Sequence, residues 1–201
     1  RLDVMDEFAT DALDFRTAVT AAPSTIMSVS SMLTGLPSSY ISRDYSGFTG
    51  QQKELTSFPE ILRDHGYSTY ALLFLSDARI FLEPIFGDTC KEIMGGDDVK
   101  DDHSNDFMLS KFDEFLESDR IKEPFFVWLH LNCRGDELLS SKVSVLLEKL
   151  KSAGLYDDSF IVMNSDHGYP DPSRGISYYD KRKYGHDLIM SDDNILALLS
   201  A

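Results

Sequence analysis

Apolar residues recur at helical spacing over residues 2–13, where Leu2, Met5, Phe8, Ala9, Ala12 and Leu13 share one face. After Pro23, the stretch Ile26 to Leu33 predicts a second helix, with Ser24 or Thr25 at its N-cap and Gly35 just past its end. LTSFPEILRDHGY predicts a third, with Pro59 in its first turn and Gly66 stopping it. The pattern then changes. STYALLFL is a continuous apolar and β-branched run, the signature of a strand buried on both faces. An acidic loop, Gly95 to Asp102, leads into a helix carrying Phe107, Phe112, Phe115 and Leu116. PFFVWLHL, Pro124 to Leu131, predicts a second buried strand. Leu139, Val143, Leu146, Leu147 and Leu150 predict a long helix ending at Gly154. SFIVMNS predicts a third buried strand, delivering Asp166, His167 and Gly168 at its C-terminal end. From there to about Gly185 the sequence is a loop rich in Pro, Gly and Tyr.

Helices alternating with such strands imply an α/β fold with a mainly parallel central sheet covered by helices on both faces. Sheets of that kind place their chemistry at the carboxyl ends of the strands, which is where Asp166 falls. No internal repeat or low-complexity tract divides the 201 residues, so residues 1–201 are expected to form a single domain.

Composition narrows the partners. A net charge of −15 argues against a nucleic-acid-binding surface and against attachment to anionic lipid. It leaves room for an anionic substrate, because a metal ion can reverse the field inside one pocket. No apolar run approaches the roughly 20 residues of a membrane span. No leader pattern is expected at Arg1, which leaves the compartment open. Cys90 and Cys133 are far apart and in no metal-ligand spacing, so two buried thiols are expected rather than a disulfide.

Two stretches could carry chemistry. Thr25, in TIMSVSSMLTG, sets a hydroxyl at a helix N-terminus, where free N–H groups and the positive end of the dipole favour an anionic oxygen. Capping is the simpler role for Thr25 or Ser24. A threonine hydroxyl is a poor nucleophile unless a base or a metal activates it. Asp166 and His167, in NSDHGY, pair a carboxylate with an imidazole, a donor set that suits zinc or manganese better than calcium. An ordinary strand end, with Asp166 capping a turn, is the alternative.

Taken together and in order, these stretches resemble the sulfatase-like branch of the alkaline phosphatase superfamily. TIMSVSSMLTG is similar to its nucleophile segment, LRDHGYSTYALL to the helix, turn and strand that follow, EPFFVWLHL to its central strand, and GLYDDSFIVMNSDHG to its metal-binding strand and loop. The resemblance runs from about residue 2 to residue 186. It implies an alkaline phosphatase-like sheet, Thr25 as nucleophile, Asp166 and His167 as metal ligands, and an extracytoplasmic location. It also implies substrate-binding roles for His186, in KYGHD, and Lys183, although the family's usual order there is His-Gly.

The departures are informative. Formylglycine sulfatases use Cys-x-Pro-Ser-Arg where this chain has Thr25, Ile26, Met27, Ser28 and Val29, so that route is closed. A threonine there is similar to nucleotide pyrophosphatases, lipoteichoic acid synthases and phosphoethanolamine transferases. The resemblance therefore implies a metal-dependent hydrolase or transferase of phosphate or sulfate esters, phosphorus esters favoured, acting on small-molecule, lipid-linked or glycan-linked substrates. The family's first strand, with its acidic metal ligands, is not visible ahead of Arg1, and the segment from Leu131 to Glu137 is short. The alternative expectation is an inactive module that kept the fold and serves in binding.

The remaining polar candidates have structural readings. His65 sits in a helix's last turn, where a cation favours the dipole. His103 falls in an acidic loop before a helix, and His130 belongs to a buried strand. The runs Asp97–Asp102 and Asp192–Asp193 read as solvated faces, and Trp128 as core.

Overall fold

A computed structural model describes residues 3–22, 24–41, 56–72, 90–94, 101–122, 124–131, 136–167 and 196–200. In chain order they form α1 (Asp3–Phe8), β1 (Asp14–Val19), α2 (Thr25–Thr34), α3 (Ser38–Ile41), α4 (Phe58–Asp64), β2 (Ser68–Leu72), β3 (Cys90–Met94), α5 (Asp101–Leu116), a 3-10 turn (Asp119–Lys122), β4 (Phe125–Leu129), α6 (Asp136–Ser152), β5 (Met163–Asn164) and β6 (Leu196–Ser200). They are distributed over two compact units, Arg1–Ala12 with Thr56–Ile161 and Leu13–Leu55 with Val162–Ala201.

The first unit is a parallel sheet in the order β3-β2-β4. Its central strand β2 is buried at all five positions, as its largely apolar and β-branched sequence favours. Tyr70 and Leu72 point to one face, where Met108, Phe112 and Phe115 of α5 cover them. The Phe115 ring stands 4.9 Å from Tyr70 and 5.2 Å, edge-on, from Phe125 of β4. On the other face, Phe58 of α4 meets Phe126 edge-on at 5.5 Å. Helices thus cover both faces, as the sequence pattern predicts.

Helix ends in this unit follow from particular residues. Ser57 caps α4 in a reciprocal box: its hydroxyl accepts from the Glu60 N–H, and the Glu60 carboxylate accepts from the Ser57 N–H at 2.6 Å. At the other end Gly66 adopts φ +88°, and the N–H groups of Gly66 and Tyr67 bond back to Arg63 and Leu62. Gly154 closes α6 in the same way, with Gly154 and Leu155 bonding to Lys151 and Leu150. Two ion pairs with matched seven-residue spacing, Lys142 to Asp106 and Lys149 to Asp113, join α6 to α5.

The second unit is an antiparallel sheet, β1-β6-β5, together with α2 and α3. β6 pairs with both neighbours, setting Phe15 opposite Leu199 on one side and Asn164 opposite Leu199 on the other. Val29 and Leu33 of α2 are buried. Gly35 ends α2 at φ +70°, its N–H bonded to the Ser31 carbonyl at 2.8 Å.

Three expectations change. The helix expected over 2–13 stops at Phe8, where the Thr10 hydroxyl bonds to the Glu7 carbonyl and competes with the helical ladder. Leu13, in phase with that helix, is instead 70% exposed and leads into β1, a strand the helical pattern had concealed. The third strand is short. Phe160 is 88% exposed and Val162 is 47% exposed, and of this stretch only Met163 and Asn164 pair with β6 among the described residues. His103 lies within α5 rather than in a loop ahead of it. Cys90 opens β3, whereas Cys133 lies outside the described residues. Among the described residues, no helix is long and apolar enough to cross a membrane.

Candidate active site

The second unit brings Thr25, Asp166 and His167 together. Thr25 is the first residue of α2, and Ser24 before it has extended backbone angles but makes no side-chain cap bond. Neither hydroxyl is spent on capping the helix: that of Thr25 lies 3.1 Å from Nε2 of His167, 142 residues away in sequence. In the tautomer protonated at Nδ1, the Nε2 lone pair faces this hydroxyl. The first intrahelical bond of α2 is from the Ser28 N–H to the Ser24 carbonyl. Helix geometry therefore leaves the N–H groups of Thr25, Ile26 and Met27 without an intrahelical acceptor, next to the Thr25 hydroxyl.

Asp166 and His167 follow β5 with only Ser165 between. One carboxylate oxygen of Asp166, Oδ1, accepts from the His167 N–H at 3.0 Å, which fixes the side chain against its own backbone. The other, Oδ2, is buried and has no hydrogen-bond partner among the described residues. It stands 3.4 Å from Nε2 of His167, without hydrogen-bond geometry. A buried carboxylate oxygen in that condition is costly unless something positive meets it.

The donor set fits a divalent cation. Ligands at about 2.0–2.1 Å in tetrahedral array stand about 3.3 Å from one another. The separations of 3.1 Å from Nε2 to the Thr25 oxygen and 3.4 Å from Nε2 to Oδ2 are of that size. Asp166 Oδ2 and His167 Nε2 would hold the ion, with the Thr25 oxygen beside it. Among the described residues, no third His, Cys, Asp or Glu joins them.

The loop that carries the pair is fastened to the start of α2. Ser28 and Thr20 both lie within hydrogen-bond reach of the Asp166 carbonyl oxygen, and their own hydroxyl oxygens are 2.7 Å apart. Farther along, the Asn164 amide approaches the Met32 sulfur at 3.0 Å. Residues 25, 28 and 32 lie on one face of the helix and meet residues 167, 166 and 164 in reverse order. Sequence reasoning had not singled out Thr20 or given Ser28 a role. The three-residue step from Thr25 to Ser28 was the one signal available, since it places both on the same face.

The other candidates separate cleanly. His186 and Lys183 lie outside the described residues. His65 ends α4, with Nδ1 2.8 Å from the Ile61 carbonyl, consistent with a structural part at that terminus. His130 follows β4 and its N–H bonds to the Leu72 carbonyl.

The chain matches the family model described as Sulfatase over residues 2–133. No curated protein matches it in sequence. Solved structures resemble it at low identity. The lipoteichoic acid synthase LtaP from Listeria monocytogenes matches with a TM-score of 0.68 and 14% identity over 99% of this chain and 58% of its own. The putative sulfatase yidJ from Bacteroides fragilis matches with 0.68 and 12%, over 99% and 62%. The C-terminal periplasmic domain of EptC from Escherichia coli matches with 0.61 and 16%, over 98% and 63%, and a further structure of that domain is a complex with zinc. The chain thus spans about three-fifths of the length of these structures, and the likeness establishes an alkaline phosphatase-like α/β fold.

Proposed function

The chain belongs to the Sulfatase family, and from that premise we propose that it is the nucleophile-bearing part of a metal-dependent hydrolase or transferase of phosphate or sulfate esters, phosphorus esters favoured. The observation that carries the reading is the meeting of the Thr25 hydroxyl with Nε2 of His167 at 3.1 Å, beside a buried Asp166 oxygen with no hydrogen-bond partner.

Thr25 is the nucleophile in this proposal. Its hydroxyl proton passes to water, its Oγ1 attacks the phosphorus or sulfur in line with the leaving group, the new bond from Oγ1 to that atom forms, and the bond to the departing oxygen breaks. The departing alkoxide takes a proton from water. The free N–H groups at the start of α2 are placed to stabilise the charge that grows on the non-bridging oxygens. The covalent threonine ester then passes to water, giving a hydrolase, or to an acceptor alcohol, giving a transferase. A divalent cation held by Asp166 and His167 would lower the pKa of the attacking hydroxyl and offset charge on the ester.

Zinc or manganese is favoured over calcium, because the set mixes nitrogen with oxygen. The zinc complex of E. coli EptC supports that preference. The absence of a cysteine and an arginine from the Thr25–Val29 segment favours phosphorus esters over formylglycine-type sulfate hydrolysis. Lipid-linked or glycan-linked esters outside the cytoplasm are the substrate class, with His186 and Lys183 as proposed contacts to substrate oxygens.

The test is metal analysis followed by a screen of phosphate monoesters, diesters and sulfate esters, with and without an acceptor alcohol. Turnover that needs a divalent ion and disappears in Thr25→Ala is the expected result. Full turnover in Thr25→Ala overturns the nucleophile assignment, and a metal-loaded chain inert to every ester class supports the non-catalytic alternative.

A further inference from the structure

We infer that Thr20 and Ser28 are positioning residues: their two hydroxyls clamp the Asp166 backbone carbonyl and thereby hold the Asp166 carboxylate and the His167 ring against Thr25. Thr20 follows β1 and Ser28 lies in the first turn of α2, so the clamp ties the Asp-His loop to two elements distant in sequence. The catalytic meaning of the clamp rests on the function proposed above; its geometric claim does not.

The hydrogen bookkeeping gives the clamp its character. A carbonyl oxygen offers two lone pairs, and each hydroxyl offers one hydrogen. Within the triangle of Thr20 Oγ1, Ser28 Oγ and the Asp166 oxygen, two hydrogens can serve two edges at a time. Either both hydroxyls donate to the carbonyl, or one donates to the other, which passes its own hydrogen on. Whichever holds, the carbonyl receives at least one bond. Ser28 is fully buried, and Thr20 is also within reach of the Ala22 carbonyl at 3.0 Å. Loss of one hydroxyl leaves the other to hold the loop, whereas loss of both leaves the carbonyl with neither. The two residues are therefore coupled, and the double variant must lose more than the single variants combined.

The ring of His167 reports the outcome directly. In the metal-free full chain, long-range ¹H–¹⁵N spectra resolve the imidazole nitrogens, and the His167 signal is assigned with His167→Gln. Thr25→Val defines the signal position when the contact with the threonine hydroxyl is gone. The double variant Thr20→Val/Ser28→Ala should move the His167 signal toward that position, with each single variant moving it less than half as far. Thr20→Ser, which keeps the hydroxyl and loses the methyl, should leave it at the wild-type position. If the double variant fails to fold, the comparison of Thr20→Val with Thr20→Ser decides the matter alone. A Co²⁺ titration followed by visible absorption adds a second reading, with affinity about tenfold or more weaker in the double variant, as for other groups that orient metal ligands. An unmoved His167 signal in a folded double variant, or a Thr20→Ser signal displaced as far as that of Thr20→Val, overturns the inference. A wild-type chain that takes up no Co²⁺ counts against the proposed function, and the imidazole signal still decides the clamp.

Discussion

The hydroxyl of Ser28 lies within hydrogen-bond reach of the carbonyl of Asp166 one helical turn beyond the point where Thr25 meets His167, so one face of α2 is in register with the loop that carries both acid and imidazole. This relationship turns two sequence stretches 140 residues apart into one site. It also separates what the helix contributes electrostatically, through its free N–H groups, from what it contributes by holding the loop.

The nucleophile assignment predicts that Thr25→Ala lowers turnover by at least about a thousandfold, the scale of losing a reacting group. Because the Thr25 side chain caps nothing, the same change should leave stability within about 0.5 kcal/mol. Kinetics against the best ester of the screen and urea unfolding measure the two effects. Lost activity accompanied by a large loss of stability contradicts the assignment.

The condition of Asp166 predicts a trade between binding and stability. Its Oδ2 is buried without a hydrogen bond, so Asp166→Asn removes a charge that the metal-free protein holds at a cost. The metal-free variant should melt at the same temperature as wild type or higher. Wild type should gain about 2.7 kcal/mol in zinc at a hundred times its dissociation constant, and the variant should lose that gain. Thermal melts with and without zinc give both numbers. A variant that melts well below wild type in the absence of metal contradicts this account of Oδ2.

Two serines at helix N-termini should behave in opposite ways. Ser57 caps α4 in a reciprocal box, and Ser24 precedes α2 without a cap bond. Ser57→Ala should cost about 1 kcal/mol and Ser24→Ala only a few tenths. Equal costs in urea unfolding would show that the start of α2 is capped after all.

The first unit's core predicts where stability resides. Phe115 is buried between Tyr70, Phe112 and Phe125. Phe115→Ala should cost about 3–5 kcal/mol. The exposed pair Lys151–Glu148 lies at the other extreme. Its hydrogen bond to Glu148 raises the Lys151 pKa, so any stability it adds is present at neutral pH and is lost only as pH rises above the lysine range. Lys151→Ala should therefore be nearly silent at pH 7.

How much of this was legible in the sequence depended on how many local signals agreed. β2 was plain, because Thr69 to Leu72, all apolar, aromatic or β-branched, run on into a further apolar stretch soon after the Gly66 stop, and that pattern admits little else. α4 and α6 were plain as well, since each ends on a glycine that only a left-handed terminus requires. β1 was hidden: Ala12 and Leu13 complete a helical pattern, and only the bonds around Glu7 and Thr10 show where the helix gives way. The stretch 159–162 misled in the other direction, because an apolar run predicts burial and says nothing about whether a partner strand is there to pair with it. At the site, Thr25, Asp166 and His167 were visible through their chemistry. Thr20 was not, because a threonine after a strand has no local mark of contact with a carbonyl 146 residues away.

The central claim is that one cation binds between Asp166 and His167 beside Thr25, and anomalous diffraction at the zinc edge from zinc-loaded crystals tests it most directly. The account predicts a peak about 2.0–2.1 Å from His167 Nε2 and about 2.0–2.2 Å from Asp166 Oδ2, with the Thr25 oxygen next to it, and its disappearance in Asp166→Ala. A zinc peak bound elsewhere, with Oδ2 and Nε2 left without the ion, contradicts it.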